Sequence, residues 1–437
     1  MYKELIRKIK SKKVKVAIIG LGYVGLPLAV RFLKKNIHVI GIDLDIKKIQ
    51  KLKKGKSYIK SISNKTISYF KNFKFELSEK YSSIKFADVI IVCLPTPLKK
   101  NSKNPDLKYL FDCAKNIKKY IKDYHIVILE STVYPGLTQI FIDKIISNKK
   151  LISGKNFFYG YSPERENPGD KNFNYFTTPK IISGFSDKCK ILVNNIYKHI
   201  CRKTVLTSTI KIAETTKLLE NLYRSVNIAL VNEMKIISKK FNMNIFEIID
   251  AAATKNFGFQ KFTPGPGYGG HCIPIDPYYL SWASEQVGYN PRFVELAGQI
   301  NTSIPSWTVR EILRNKQLKN KKNINALILG VAYKKNIDDD RESPSYRFMK
   351  IFNKKKIKFD YNDPYLKSLR IGRNNSIKKK SVQVSSKNLK KYDFVILLTD
   401  HDIYNYRLIA KNAKLIFDTR GVYNNISLKD KNNIYLL

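Results

Sequence analysis

Val14-Lys15-Val16-Ala17-Ile18-Ile19-Gly20-Leu21-Gly22-Tyr23-Val24-Gly25 is an apolar run that breaks into a glycine turn, and the helix-forming stretch Leu26 to Lys35 follows it directly. The reading is strand, turn, helix. In this G-x-G-x-x-G, Gly20 makes the tight turn, Gly22 leaves room for a pyrophosphate and Gly25 lets helix and strand pack closely, with Tyr23 and Val24 lining the turn. The helix start then offers unpaired N–H groups to phosphate oxygens. A second strand, His38 to Ile42, delivers Asp43 about 20 positions on, where a carboxylate accepts from both ribose hydroxyls. Asp43 would repel the 2′-phosphate of NADP, so the expected cofactor is NAD. A carboxylate at a strand end is also expected to have no packing purpose of its own.

Strand-like runs recur at Asp88–Cys93 and His125–Leu129, each after a helix-like stretch, as in a doubly wound parallel sheet. Ligands bind such sheets at the C-terminal strand ends. The segments arriving there are Leu94-Pro95-Thr96-Pro97 and Glu130-Ser131-Thr132-Val133-Tyr134-Pro135-Gly136, which offer hydroxyls beside proline-fixed backbone. Ile210 to Lys240 reads as one long bridging helix, with Ile212, Thr216, Leu219, Tyr223, Val226, Leu230 and Met234 as its apolar stripe. Glu214, Lys217, Asn221 and Arg224 fall on another face, ordinarily a solvated one. A second α/β unit begins at Ile324–Gly330, with further strands at Lys356–Tyr361, Tyr392–Leu398 and Lys414–Asp418. It lacks a glycine fingerprint. Lys334, Arg341 and Arg420 at its loops are therefore phosphate-ligand candidates. The expected fold class is α/β: two Rossmann-like doubly wound parallel-sheet domains joined by a central helical region. The expected boundaries are 1–205, 206–305 and 306–437.

At 437 residues the chain needs more than one core. It has no run of about 18 apolar residues and no signal-peptide h-region after Met1, so a cytoplasmic protein without membrane association is expected. Cys93, Cys113, Cys189, Cys201 and Cys272 are scattered and odd in number, which is no disulfide framework. The histidines are scattered too, so no metal is expected. The net charge of +46 invites a nucleic-acid hypothesis. The lysines, however, are dispersed along the whole chain among Ile and Asn, a compositional drift rather than a concentrated basic face. No nucleic-acid partner is expected.

Pro264-Gly265-Pro266-Gly267-Tyr268-Gly269-Gly270-His271-Cys272-Ile273-Pro274-Ile275-Asp276 presents a thiol from a loop too rich in glycine and proline for a helix or central strand. G-x-G-x-x-G, S-T-V-x-P-G, S-P-E-R, E-x-x-K-x-x-x-N, G-G-H-C-x-P-x-D and D-x-R-E-S-P in this order resemble the UDP-glucose/GDP-mannose dehydrogenase family from end to end. That resemblance implies oxidation of a nucleotide sugar's C6 hydroxyl to a carboxylate by two NAD, in a homodimer or higher oligomer. Cys272 is then the nucleophile that traps the aldehyde as a thiohemiacetal and, after the second oxidation, as a thioester. Lys217 and Asn221 match the residues that hold the oxyanion, and Asp276, Thr132 and Glu164 those of proton transfer and water positioning. Thr96 and Arg341 match cofactor-binding positions. Arg165, Phe262, Tyr268, Gly269, Lys334 and Arg420 match substrate-binding ones, together with Lys217 and Asn221.

The segment Tyr161 to Asp170, with Ile275 and the stretch Phe293–Asn301, looks like the branch acting on UDP-N-acetylhexosamines in surface polysaccharide synthesis. The expected substrate is UDP-N-acetylglucosamine, with the manno epimer next. UDP-glucose, UDP-N-acetylgalactosamine and GDP-mannose remain as alternatives.

Overall fold

The computed structural model describes residues 1–59, 62–70, 73–100, 102–165, 176–270, 272–369, 377–428 and 432–437. The part 166–170 of the segment used above for substrate choice, and His271, lie outside them. The chain forms two compact units, Met1–Glu220 with Tyr278–Val287, and Asn221–Pro277 with Gly288–Leu437.

In the first unit β1 (Lys15–Ile19), β2 (His38–Ile42), β3 (Phe75–Ser78), β4 (Val89–Val92), β5 (Ile126–Leu129), β6 (Phe158–Tyr161), β7 (Lys180–Gly184) and β8 (Thr204–Leu206) form one sheet. Its order is β3-β2-β1-β4-β5-β6-β7-β8. The chain order reverses between β1 and β4, so the crevice opens beside the glycine turn that follows β1. All joins are parallel except β6 with β7. The central strands β4 and β5 are buried along their whole length, as expected of parallel strands covered on both faces. The helix Gly25–Lys34 packs Leu26, Leu28, Ala29, Phe32 and Leu33 into this core.

In the second unit β9 (Asn325–Leu329), β10 (Lys358–Asn362), β11 (Phe394–Leu397), β12 (Ile416–Asp418) and β13 (Ile434–Leu436) form an all-parallel sheet. Its order is β10-β9-β11-β12-β13. Phe348, Met349 and Phe352 cover one face, and Leu389, Tyr404 and Ile409 the other.

The long helix forms over Ile210–Lys240, but much of its apolar stripe is exposed and its polar face is buried except at Arg224, while Thr216, Val226 and Met234 of the stripe are half-buried. Ile212, Leu219, Tyr223 and Leu230 of the apolar stripe are 45%, 59%, 49% and 54% exposed, while Glu214, Lys217, Asn221, Asn232 and Lys235 are buried. Spacing gave the stripe correctly. Which stripe faces the protein was decided by the polar groups available to receive it.

Candidate active site

In the first unit the three fingerprint glycines each meet a different constraint. Gly20 takes φ +91°, and a Cβ there would lie 2.6 Å from the Cys93 carbonyl oxygen. A Cβ on Gly25 would lie 1.9 Å from the Gly20 oxygen, so only glycine lets the helix start this close to the turn. A Cβ on Gly22 would meet nothing within 4 Å, so the turn is open there, as a pyrophosphate would require. Tyr23 and Val24 are half-buried and pack against the core. Asp43 corrects the sequence expectation, because its carboxylate does hold structure. It accepts from the backbone N–H of Leu21 and of Asp45, each at 2.9 Å, and pairs with Lys48 at 3.0 Å. Strand end and glycine turn are thereby fixed together, whatever the carboxylate also does for a ribose.

The loops after β4 and β5 are tied by Ser131, whose hydroxyl donates to the Leu94 carbonyl at 2.7 Å and accepts from the Leu94 N–H at 3.0 Å. Thr96 is buried and Thr132 half-buried on these tied loops. Glu214 holds the far end of the second loop, accepting from the N–H groups of Gly136 at 2.6 Å and Thr138 at 2.9 Å. It serves as a remote N-cap for the helix Leu137–Ile146. Burial raises its pKa, and those N–H bonds partly offset the rise.

Lys217 and Glu164 are brought together. The ammonium donates to the Glu164 main-chain oxygen at 2.6 Å and lies 3.6 Å from its carboxylate. Under that segment sits a group the sequence did not reveal: the buried Lys180 ammonium donates to Glu130 and to the Pro163 carbonyl, both at 2.9 Å, and Tyr197 also bonds Glu130. A lysine that neutralises a buried carboxylate and binds the residue before Glu164 sets where Glu164 stands. Residues 130, 180 and 197 are too far apart in sequence for spacing to have paired them. Arg165 is turned to other work, bonding the Glu220 carboxylate at 2.7 Å and the Pro179 carbonyl at 2.7 Å.

In the second unit Cys272 begins the turn that enters the helix Asp276–Glu285, its carbonyl accepting from the N–H of Ile275 at 3.1 Å and of Asp276 at 2.8 Å. None of the five cysteines is paired in a disulfide, and Cys272 alone is not buried. Burial pushes the thiols of Cys113 and Cys201 up, to about 12 and about 11, and that of Cys93 well above its ordinary value, so those three are poor nucleophiles. Asp276 is 4% exposed and accepts from the Asn221 amide at 2.6 Å, while the Asn221 oxygen accepts from Arg224 at 2.6 Å. The thiol and the Arg224–Asn221–Asp276 chain are thus carried by one turn and one helix. The glycine loop lies against the segment after β9. Cβ atoms on Gly269 and Gly270 would come within 2.8 and 2.9 Å of Tyr333, and the Gly270 N–H donates to the Arg341 carbonyl at 3.0 Å. Arg341 itself is gripped by both carboxylate oxygens of Asp339, at 2.7 to 3.0 Å. Tyr268 and Lys334 are half-buried, and Phe262 packs edge-on against Tyr223 at 5.9 Å. Arg420 bonds the Leu398 carbonyl at 2.8 Å and approaches Gly265 so closely that a Cβ there would be 2.8 Å from its guanidinium. Among the described residues no cluster of His, Cys, Asp and Glu is gathered as metal ligands, and no helix is long and apolar enough to cross a membrane.

Residues 14–201 match the NAD binding domain of the UDP-glucose/GDP-mannose dehydrogenase family, residues 211–303 its central domain and residues 327–425 its UDP binding domain. The chain belongs to that family. As a UDP-glucose/GDP-mannose dehydrogenase it is an NAD-dependent oxidoreductase of nucleotide sugars. It is 33% identical to a UDP-N-acetyl-D-glucosamine 6-dehydrogenase of Salmonella typhi, over 94% of this chain and 96% of that one. It is 30% identical to a UDP-N-acetyl-D-mannosamine dehydrogenase of Pyrococcus horikoshii, over 93% and 96%. A solved UDP-D-ManNAc dehydrogenase structure from Pyrococcus horikoshii superposes with a TM-score of 0.84 at 29% identity, covering 97% of this chain and 98% of that one.

Proposed function

We propose that this dehydrogenase oxidises the C6 hydroxyl of a UDP-N-acetylhexosamine, UDP-N-acetylglucosamine first, to the uronic acid in two stages. The observation that carries the proposal is the one unburied thiol, Cys272, one helical turn before Asp276. NAD, when bound, supplies the hydride acceptor of both oxidation stages. Cys272, as thiolate, adds to the aldehyde carbon and keeps it bound until the thioester stage. Lys217 donates to the oxygen that gains charge, and Asn221 holds Asp276 with one amide hydrogen while its second remains for that oxygen or a water. Asp276, held by Asn221, moves the proton of the hydrolytic water, with Thr132 and Glu164 orienting it. Lys334, Arg420, Tyr268, Gly269 and Phe262 hold the nucleotide sugar, Arg341 assists the cofactor, and Arg165 acts on substrate only by leaving Glu220.

The functional parsing is 1–205 for cofactor, 206–305 for the catalytic loop and dimerisation, and 306–437 for UDP. The exposed Ile212, Leu219, Tyr223 and Leu230 on one helix face support a homodimer, since such a stripe is the usual mark of a protein partner. The scattered thiols, none of them in a disulfide, accord with a reducing cytoplasm. The manno epimer is the second reading, favoured by the Pyrococcus horikoshii structure. The test is NADH formation with UDP-N-acetylglucosamine, UDP-N-acetylmannosamine, UDP-N-acetylgalactosamine, UDP-glucose and GDP-mannose side by side. About two NADH per UDP-N-acetylglucosamine are expected, one for each oxidation stage of the covalent route. Preference for another sugar overturns the substrate, and no turnover with any overturns the reaction.

A further inference from the structure

Lys235 is a lysine where nothing in the sequence asks for a charge. It sits on the buried face of the long helix with 2% exposure, among the largest fully buried side chains of the protein. Its ammonium donates to the Gly265 carbonyl at 2.9 Å and lies 5.2 Å from the centre of the Trp307 ring. Among the described residues no carboxylate lies within ion-pair distance of it. The charged groups around it can be named element by element. Its own helix and the loop at Gly265 bring amide and carbonyl groups, and the helix Arg292–Leu313 brings the Trp307 ring. The end of β12 brings Arg420, a second cation. Arg420 has the Asp400 carboxylate at 3.9 Å, and Asp418 also favours its charge. The Asp418 carboxylate is taken up by the N–H groups of Arg420, Gly421 and Tyr423 at 2.8 to 3.0 Å. Two cations therefore converge on Gly265, one of them deeply buried with no counter-ion. A buried charge of that kind needs an anion or loses its proton.

We propose that Lys235 is a positioning residue of the nucleotide-sugar site, and that the diphosphate of the substrate is the missing anion, so that binding loads a proton onto Lys235 and tightens the Gly265 loop. The inference rests on the nucleotide-sugar reading above and adds to it a proton linkage and a residue. Burial, with Arg420 adding repulsion, pulls the Lys235 ammonium down to about 7 in the free protein, so near neutral pH it is poised to respond. A lysine that merely propped the loop would be charged or neutral alike with and without substrate.

The experiment is calorimetric titration of the full-length protein with UDP-N-acetylglucosamine, without NAD, at pH 8 in buffers of different ionisation enthalpy, for the native chain and for Lys235→Met. The diphosphate diester of that probe does not titrate near neutrality, so proton uptake reports on the protein. Native protein is expected to take up about one proton per site, and Lys235→Met roughly none. KM in the native enzyme is expected to rise about tenfold per pH unit above 7 with kcat little changed, a rise the variant lacks. Stability gives a readout free of ligand. With its folded pKa depressed below the unfolded lysine value, Lys235 weakens folding below about 7, and native stability rises as pH climbs from there toward the ordinary lysine range. Lys235→Met removes that rise. Lys235→Arg keeps the charge without the titration, and is expected to bind with a flat pH profile. Equal proton uptake by native and Lys235→Met, or a native KM without pH dependence, overturns the inference while the enzyme still turns over. No binding of any UDP-sugar overturns it together with the proposed function.

Discussion

Cys272 differs from the other four cysteines by position rather than chemistry: they are locked in cores, three of them with thiols pushed up by burial, while it starts a helical turn in a loop whose glycines press against Tyr333. Replacing it by Ala is expected to lower NADH production with the nucleotide sugar by at least ~10³-fold with folding unchanged, measured against native protein of equal melting temperature. Residual two-NADH turnover in Cys272→Ala would show that the covalent trap lies elsewhere. Lys235 and Lys180 make the same point for lysine. Both are buried, but Lys180 has Glu130 at 2.9 Å, whereas among the described residues Lys235 meets a carbonyl and a ring and no carboxylate, so one is a strut and the other is the group proposed above to take an anion from the substrate.

Two turns dominate at the level of elements, one after the first strand of each sheet. Gly25 lets the helix Gly25–Lys34 start against the Gly20 carbonyl, and Gly25→Ala forces an atom to 1.9 Å from it. Such overpacking at a backbone contact costs on the order of 3 kcal/mol, and the variant should melt lower and lose NAD affinity in titration. In the second unit Asp363 after β10 accepts from the N–H groups of Val331 and Ala332 at 2.8 and 2.9 Å, and from His401 at 3.1 Å. Burial raises the Asp363 pKa, but the bonds from His401 and the two N–H groups outweigh it and the net direction is down. With its folded pKa below the unfolded one, the stability it contributes is complete above about pH 4 and is lost as pH falls through the lower folded value. Asp363→Asn should therefore cost ~2–3 kcal/mol near neutrality and flatten the acid limb of the stability curve in denaturant melts.

For the molecule as a whole the relevant quantity is the net charge of +46, carried by a protein whose cofactor and substrate are both anions. Dispersed positive charge raises the encounter rate of anionic ligands and is screened within about 10 Å at 0.1 M salt. Raising salt from 50 to 500 mM is expected to lower kcat/KM for the nucleotide sugar several-fold while leaving kcat nearly constant, in steady-state assays. A kcat that falls in parallel would mean that salt acts on the folded site rather than on encounter.

Strand, turn and helix order, the NAD fingerprint and the thiol loop were legible in the chain alone, because each depends on contacts among residues a few positions apart. Gly20, Gly22 and Gly25 act within one turn, and Cys272 and Asp276 within another. The faces of the long helix were not legible. A 3.6-residue period identifies two stripes but not which one the rest of the protein covers, and here the buried side carries Glu214, Lys217, Asn221 and Lys235. Their burial depends on partners far along the chain: Gly136 and Thr138 for Glu214, Glu164 for Lys217, Asp276 for Asn221 and Gly265 for Lys235. The same holds for Glu130, Lys180 and Tyr197. A polar side chain is stable inside a protein only where a distant segment brings its hydrogen-bond partner, so its role is settled by tertiary structure and not by local pattern.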